Sequence, residues 1–174
     1  MLKQGITTES FLNDIQCVFG SGGIGLCAIA AAAFAECNPV IAVDLLENKL
    51  GLARKLGATH CINATEQNPV EAVAGICKGG LDFTIEACGR IEVVAQSLEA
   101  VRTLGGTCVV IGNPPHGTEL ILDPWQIIKG KRLVGAWSGN DDADRDFPRY
   151  GNLIANGQIK IDGLLSDPYS LSAI

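Results

Sequence analysis

Apolar residues along this chain follow two rhythms that alternate. Short unbroken apolar runs give way to longer stretches in which apolar positions recur three or four residues apart. The first rhythm fits strands buried on both faces, and the second fits helices with one apolar side. Strands are expected over 16–19, 40–44, 59–62, 81–85, 107–111 and 132–137. Helices are expected over 23–36, 47–56, 69–77, 91–101, 124–129 and 144–156. Residues 120–122 read as a further short strand. Turn residues fall between these elements: Asn38-Pro39 breaks the first helix, Gly57 follows the second, and Pro69 opens the third. Gly79-Gly80, Gly105-Gly106 and Gly157 close later helices, and residues 112–117 are loop. Residues 1–15 form a polar lead-in, and residues 159–174 show little periodicity.

Strands that alternate with helices imply βαβ units, right-handed crossovers and a parallel sheet. Six strands in this sequence order predict a doubly wound α/β domain over 16–174 with strand order 3-2-1-4-5-6. Its ligand crevice would lie beyond strands one and four.

Composition narrows the picture. The 174 residues are 47% hydrophobic but only 5% aromatic, so the core must be built from Ala, Val, Ile and Leu. The net charge is −6 with no basic stripe, which argues against nucleic acid as a partner. The most apolar run, 24–35, is too short for a bilayer, which needs ~20 residues. No membrane partner and no signal peptide are expected. The seven cysteines stand ten or more residues apart, so C-x-x-C units and zinc spacing are missing. They read as reduced, buried thiols of a cytoplasmic protein.

The stretch Val18-Phe19-Gly20-Ser21-Gly22-Gly23-Ile24-Gly25 has the form G-x-G-x-x-G between a strand and an alanine-rich helix. Gly20 allows the sharp turn, Gly22 lets backbone approach a pyrophosphate, and Gly25 permits close packing of helix on sheet. The N–H groups and positive dipole end of the helix then face the phosphates. Asp44 closes strand two, nineteen positions after Gly25. That is where a dinucleotide site places the acid that accepts hydrogen bonds from the adenosine ribose, near ~20 residues on. The same carboxylate repels a 2′-phosphate, and Leu45 rather than arginine follows, so NAD is favoured over NADP. The competing role for Asp44 is a turn former ahead of helix two. Lys49, one turn on, either reaches the ribose or is a solvated helix lysine.

Other chemistries fit less well. A methyltransferase usually lacks the third glycine, and a short-chain dehydrogenase needs lysine four positions after tyrosine. Tyr150 is followed at that spacing by Ile154, and Tyr169 by no lysine. His60 reads as a core or edge histidine and His116 as a solvated loop residue. Asp141, Asp142, Asp144 and Asp146 lack the glycine and final glutamate of a calcium loop. No catalytic set is found.

The blocks VFGSGGIGL, IAVDLLENKLGLARKLGATHCIN, GGLDFTIEACGR, GGTCVVIGNPP and GKRLVGAWSG resemble, in order, the Rossmann cofactor domain of zinc-dependent medium-chain alcohol dehydrogenases. The resemblance runs over 16–174 and is strongest to class III and aryl alcohol dehydrogenases. It implies that residues 19–25 (Phe19, Gly20, Gly22, Gly23, Ile24 and Gly25 among them) hold the pyrophosphate of NAD. Asp44, Leu45 and Lys49 would hold the ribose. Ala87 and Cys88 would line the adenine and ribose walls, with Arg90 nearby. Ile111, Gly112 and Asn113 would flank the nicotinamide, and Ala136 and Trp137 would offer backbone groups to its carboxamide. The family's sixth strand pairs across a two-fold axis, which makes 131–137 an expected homodimer edge. The family's zinc ligands (a cysteine in a C-G-[ST]-like motif, a histidine-glutamate pair and a second cysteine) are missing from this sequence. Zinc would belong only to an absent catalytic domain. The segment alone is therefore expected to bind NAD(H) and be inactive, as an excised or truncated cofactor domain. The alternatives are a free-standing NAD-binding or interaction module, or the domain of an NADPH-using quinone or enoyl reductase.

Overall fold

A computed structural model describes residues 14, 16–137, 142–161, 163–165 and 168–173. The lead-in over 1–13, Ile15, Asp141 and parts of the C-terminal stretch lie outside the described residues. Strands β1 (Gln16–Phe19), β2 (Val40–Asp44), β3 (His60–Asn63), β4 (Phe83–Glu86), β5 (Thr107–Val110) and β6 (Arg132–Gly135) alternate with α1 (Gly23–Phe34), α2 (Glu47–Lys55), α3 (Pro69–Ile76), α4 (Ile91–Ala100), α5 (Pro124–Ile128) and α6 (Ala143–Ala155). The strands form one six-stranded sheet in the order β3-β2-β1-β4-β5-β6. Every pairing is parallel, with Phe19 level with Val43 on one side and Glu86 on the other. The doubly wound architecture is the expected one.

The two faces of each inner strand feed two cores, because side chains alternate along a strand. Val18, Val40 and Ala42 pack with Leu26, Ile29 and Ala30 of α1 and Leu50 and Ala53 of α2. Cys17, Phe19, Ile41 and Val43 point the other way, toward Val73 of α3 and Ala100 of α4. Small side chains let α1 pack closely on the turn after α2: a Cβ on Gly57 would stand 2.4 Å from the Ala33 Cβ.

Local chemistry fixes the helix starts. The Asn68 carboxamide oxygen accepts the Val70 N–H at 2.9 Å, with Pro69 in the first turn of α3. Asp123 does the same for α5, accepting the Trp125 N–H at 3.0 Å ahead of Pro124. Both are side-chain N-caps that satisfy donors the helix cannot pair itself.

Several expectations need correction. Residues 120–122 form no strand. Leu122 packs beside Leu98 and Cys108 while Ile121 is exposed, so the apolar signal is met from a loop without a ladder partner. The fourth strand starts later and ends later than the apolar run, at Glu86, while Leu81 makes only a single bridge to Val101. Helix α1 stops at Phe34, and β6 at Gly135. Cys17, Cys37, Cys77 and Cys108 are buried as expected, but Cys27 and Cys88 are exposed. His60 is exposed on β3, at the end of the sheet, with Nδ1 2.9 Å from the Thr59 hydroxyl. His116 is exposed in its loop. Asp142 is the N-cap of α6, and Asp144 and Asp146 occupy its first turn.

Lys131 is a buried lysine whose ammonium donates to the Leu98 carbonyl at 3.1 Å and the Glu99 carbonyl at 2.7 Å. It closes the C-terminal end of α4, where a cation suits the helix dipole. Burial holds its pKa below the usual lysine range, which offsets part of this gain. Lys131→Met keeps the stem and strands two carbonyls, so it should cost about 1–3 kcal/mol. Urea unfolding measures this, and a midpoint unchanged from the parent chain would rule out the capping role.

Candidate functional site

The glycine-rich turn stands at the C-terminal ends of β1 and β4. Gly20 has φ +97°, in the left-handed region, and its N–H donates to the Val43 carbonyl at 2.8 Å. The turn is therefore tied to the end of β2 before α1 begins. Asp44 completes the tie: its Oδ2 accepts the Ser21 N–H at 2.6 Å, and its Oδ1 accepts the Leu46 N–H at 3.0 Å. One carboxylate thus joins the β1 turn to the β2 turn.

The three glycines are distinct in space. A Cβ on Gly25 would stand 1.8 Å from the Gly20 carbonyl oxygen and 3.4 Å from Val18 Cγ1. The close approach expected at Gly25 is thus to the turn itself as much as to the sheet. Gly22 and Gly23 face open space, with nothing within 4 Å of an added Cβ. Gly22 is the N-cap of α1 and supplies no side-chain cap, unlike Asn68 and Asp123. The first N–H donors of α1 are thus left without a side-chain cap among the described residues, the arrangement that suits an anion.

Beside this turn lies a crevice of about 360 Å³ lined by Phe19, Gly20, Val43, Asp44, Leu45, Ala64, Pro69, Cys88, Arg90, Glu92, Val93 and Gln96. It gathers six of the residues expected from the sequence: Phe19, Gly20, Asp44, Leu45, Cys88 and Arg90. Gly22, Gly23, Ile24, Gly25 and Lys49 are outside this lining, with Ile24 exposed on the first turn of α1. Lys49 is half-buried on α2. Ala87 is fixed beside the crevice by its N–H to the Phe19 carbonyl at 2.9 Å. Ile111, Gly112 and Asn113 follow β5, and Ala136 and Trp137 follow β6. The Ala136 N–H donates to the Val110 carbonyl at 3.0 Å, and Trp137 is exposed.

The sequence reading placed Ser21 in the pyrophosphate turn without its anchor, and it missed Glu86 and the lining residues Val43, Ala64, Pro69, Glu92, Val93 and Gln96. Ser21 is fully buried and supplies the N–H held by Asp44. Gln96 and Val93 enter the lining from α4; their only signal is a three-residue spacing on one helical face. Glu86, also fully buried, accepts hydrogen bonds from the Cys88 and Gly89 N–H groups at 2.9 and 2.7 Å. An acid at the end of a strand expected next to β1 is the signal that could have found it. Partial desolvation of its sulfur, followed by the hydrogen bond to Glu86, pushes the Cys88 thiol up to about 12 although the residue reaches the surface, so it stays a thiol at neutral pH.

The arrangement fits a dinucleotide. An uncapped helix start can hold a pyrophosphate, Asp44 retains acceptor capacity on both oxygens, and an apolar slot adjoins it between Phe19, Val43, Ala64 and Pro69. A zinc ion finds no such fit, since among the described residues no group of three or more His, Cys, Asp or Glu could hold a metal ion. Among those residues no helix is long and apolar enough to cross a membrane.

Comparison with known proteins agrees with this geometry. The profile of a family described as zinc-binding dehydrogenase matches residues 23–156. The S-(hydroxymethyl)glutathione dehydrogenase of Paracoccus denitrificans is 30% identical over 164 residues, 90% of this chain and 44% of that protein. The crystal structure of benzyl alcohol dehydrogenase from Acinetobacter calcoaceticus superposes with a TM-score of 0.83 at 33% identity, over 87% of this chain and 42% of that one. A Sinorhizobium meliloti protein described as a zinc-binding dehydrogenase, solved bound to NADP, gives a TM-score of 0.80 at 32% identity, over 87% and 44%. The chain spans less than half the length of these relatives.

The contrast between Gly25 and Gly23 is testable without a ligand. Gly25→Ala forces a methyl group into the Gly20 carbonyl and should destabilise by about 1–3 kcal/mol or more. Gly23→Ala meets no atom and should leave stability unchanged or raise it by up to ~1 kcal/mol through helix propensity. Thermal melts of the two variants compare them directly; equal melting temperatures would refute the assigned packing.

Proposed function

The chain belongs to the zinc-binding dehydrogenase family, and on that premise we propose that it is the NAD-binding domain of an alcohol dehydrogenase. The observation that carries this is the uncapped start of α1 beside a carboxylate at the end of β2. Residues 20–25 hold the pyrophosphate through backbone N–H groups. Asp44 accepts hydrogen bonds from the adenosine ribose hydroxyls, and Leu45 and Lys49 flank the same sugar. Ala87, Cys88 and Arg90 form the wall beyond β4. Ile111, Gly112 and Asn113, with the backbone of Ala136 and Trp137, flank the nicotinamide end.

Bound there, NAD supplies a hydride acceptor for the carbon of an alcohol whose hydroxyl proton leaves to a base. The residues of this site bind and orient the cofactor and take no part in proton transfer. The polarising zinc and the base belong to a further part of the protein, as the family name and the length of its relatives support. The 174-residue chain alone is expected to bind cofactor and turn nothing over. The seven free thiols fit a cytoplasmic setting.

The NADP-bound relative favours a second reading, in which the site takes NADPH. Asp44 weighs against it, because a carboxylate beside the ribose repels a 2′-phosphate. Calorimetric titration separates the two: NADH should bind at least about tenfold more tightly than NADPH, and Asp44→Ala should shrink that preference. A native preference for NADPH would discard the role given to Asp44, and NADH affinity unchanged in Asp44→Ala would reduce it to a turn former.

A homo-oligomer through 131–137 is also proposed. β6 ends the sheet, and Val134, Trp137, Trp125 and Ile128 are exposed on or near it, the pattern of an edge awaiting a partner. Light scattering over a concentration series should show association, weakened by Val134→Lys. A monomer at every concentration would end this proposal.

A further inference from the structure

Behind the Cys88 wall of the crevice, the end of β4 carries a carboxyl group for which cofactor binding gives no direct use. Glu86 ends β4 and is fully buried. Its Oε1 accepts hydrogen bonds from the Gly89 N–H at 2.7 Å, the Cys88 N–H at 2.9 Å and the Cys88 thiol at 3.0 Å. Its main-chain oxygen accepts the Ile111 N–H at 2.9 Å and the Gly112 N–H at 3.0 Å. One residue therefore holds the β4–α4 turn with its side chain and the loop after β5 with its backbone.

The second carboxylate oxygen tightens the arrangement. Oε2 is buried with no hydrogen-bond partner among the described residues. It lies under Gly112, where a Cβ would stand 2.6 Å from it and 2.1 Å from the Gly89 nitrogen. Gly89 has φ +71°, and a Cβ on it would meet the Asn113 backbone at 2.8 Å. Two glycines from two loops thus interlock around one carboxylate. A buried oxygen without a partner is costly, and an apolar side chain of the same size would fill the space without that cost. What only an acceptor at this point can do is hold the N–H groups of residues 88 and 89.

We propose that Glu86 is a positioning residue that locks the β4–α4 turn to the loop after β5, so that the crevice wall at Cys88 and Arg90 moves as one unit with that loop. Its consequence for ligand binding rests on the NAD-binding reading above; the lock itself does not. Without it, the wall at Cys88 and Arg90 shifts independently of Ile111 and Asn113, and the two ends of a dinucleotide lose their fixed separation.

Amide hydrogen exchange on the parent chain, Glu86→Gln and Glu86→Met tests the lock. Gln keeps an acceptor oxygen, so exchange at Cys88, Gly89, Ile111 and Gly112 should stay within about threefold of the parent. Met removes the acceptor and should raise exchange by about tenfold or more at Cys88 and Gly89, the loss of about one hydrogen bond. The decisive sites are Ile111 and Gly112, which keep their main-chain acceptor yet should also open, while β1 and β2 stay protected. Opening confined to residues 88 and 89, or Gln behaving like Met, overturns the proposal. Should Met unfold the chain, Glu86→Asp, one methylene shorter, should give the same four-site pattern in weaker form; parent-like protection there overturns it equally. NADH affinity should follow the exchange pattern, kept in Gln and lost by about tenfold in Met. Undiminished affinity in Met would overturn the positioning role. A parent chain that binds no NADH refutes the cofactor reading, and the exchange data then still decide the lock.

Discussion

The structure depends on the contact between Gly25 and the carbonyl of Gly20. No side chain fits there, since a Cβ would sit 1.8 Å from the oxygen. The first turn of α1 can therefore lie against the turn that precedes it, and its N–H groups open directly above the end of β1. Much of the rest of the site follows from that closeness. Gly20 must take a left-handed conformation to leave the strand so sharply, and its N–H then reaches Val43. Asp44 fastens the same turn from β2 through the Ser21 N–H. A helix start with no side-chain cap of its own is left facing an acid and an apolar slot.

Small residues elsewhere serve the same geometry. The core has few aromatics, and the alanines of α1 let it lie low on the sheet against Val18, Val40 and Ala42. Parallel strands buried on both faces bring the ends of β1, β2 and β4 to one edge in register, with Phe19, Val43 and Glu86 level. That register, more than any single side chain, assembles the crevice. A second tier lies beyond it, where Glu86, Gly89 and Gly112 interlock. The glycine turn and the Glu86 cluster are separate devices, joined through the hydrogen bond from the Ala87 N–H to the Phe19 carbonyl.

Much of this was legible in the sequence because it is written in local spacing. Continuous apolar runs gave six strands in the right order, and the glycine motif with Asp44 located the crevice. Pro69 and Gly57 marked helix ends that the backbone honours. What escaped was set by partners distant in the chain. Residues 120–122 look like a strand, but Leu122 packs onto Leu98 and Cys108 from a loop instead. Cys88 looks like a core cysteine, yet the turn after Glu86 carries it to the surface. Glu86 itself was invisible as a lock, since its meaning comes from Gly112, twenty-six positions on. Gln96 joins the lining only because α4 packs over β4 and β5. NAD was read from the glycine motif, Asp44 and Leu45, and the family resemblance added the residues beyond β4, β5 and β6.

The most direct measurement is a titration of NADH into the isotopically labelled chain, followed through its backbone amide resonances. The amides of residues 21–25 should shift first and furthest, together with those flanking Asp44 and Cys88, while the far ends of the strands stay still. Shifts that spare residues 21–25, or none at saturating NADH, would contradict the claim that this glycine turn holds a dinucleotide.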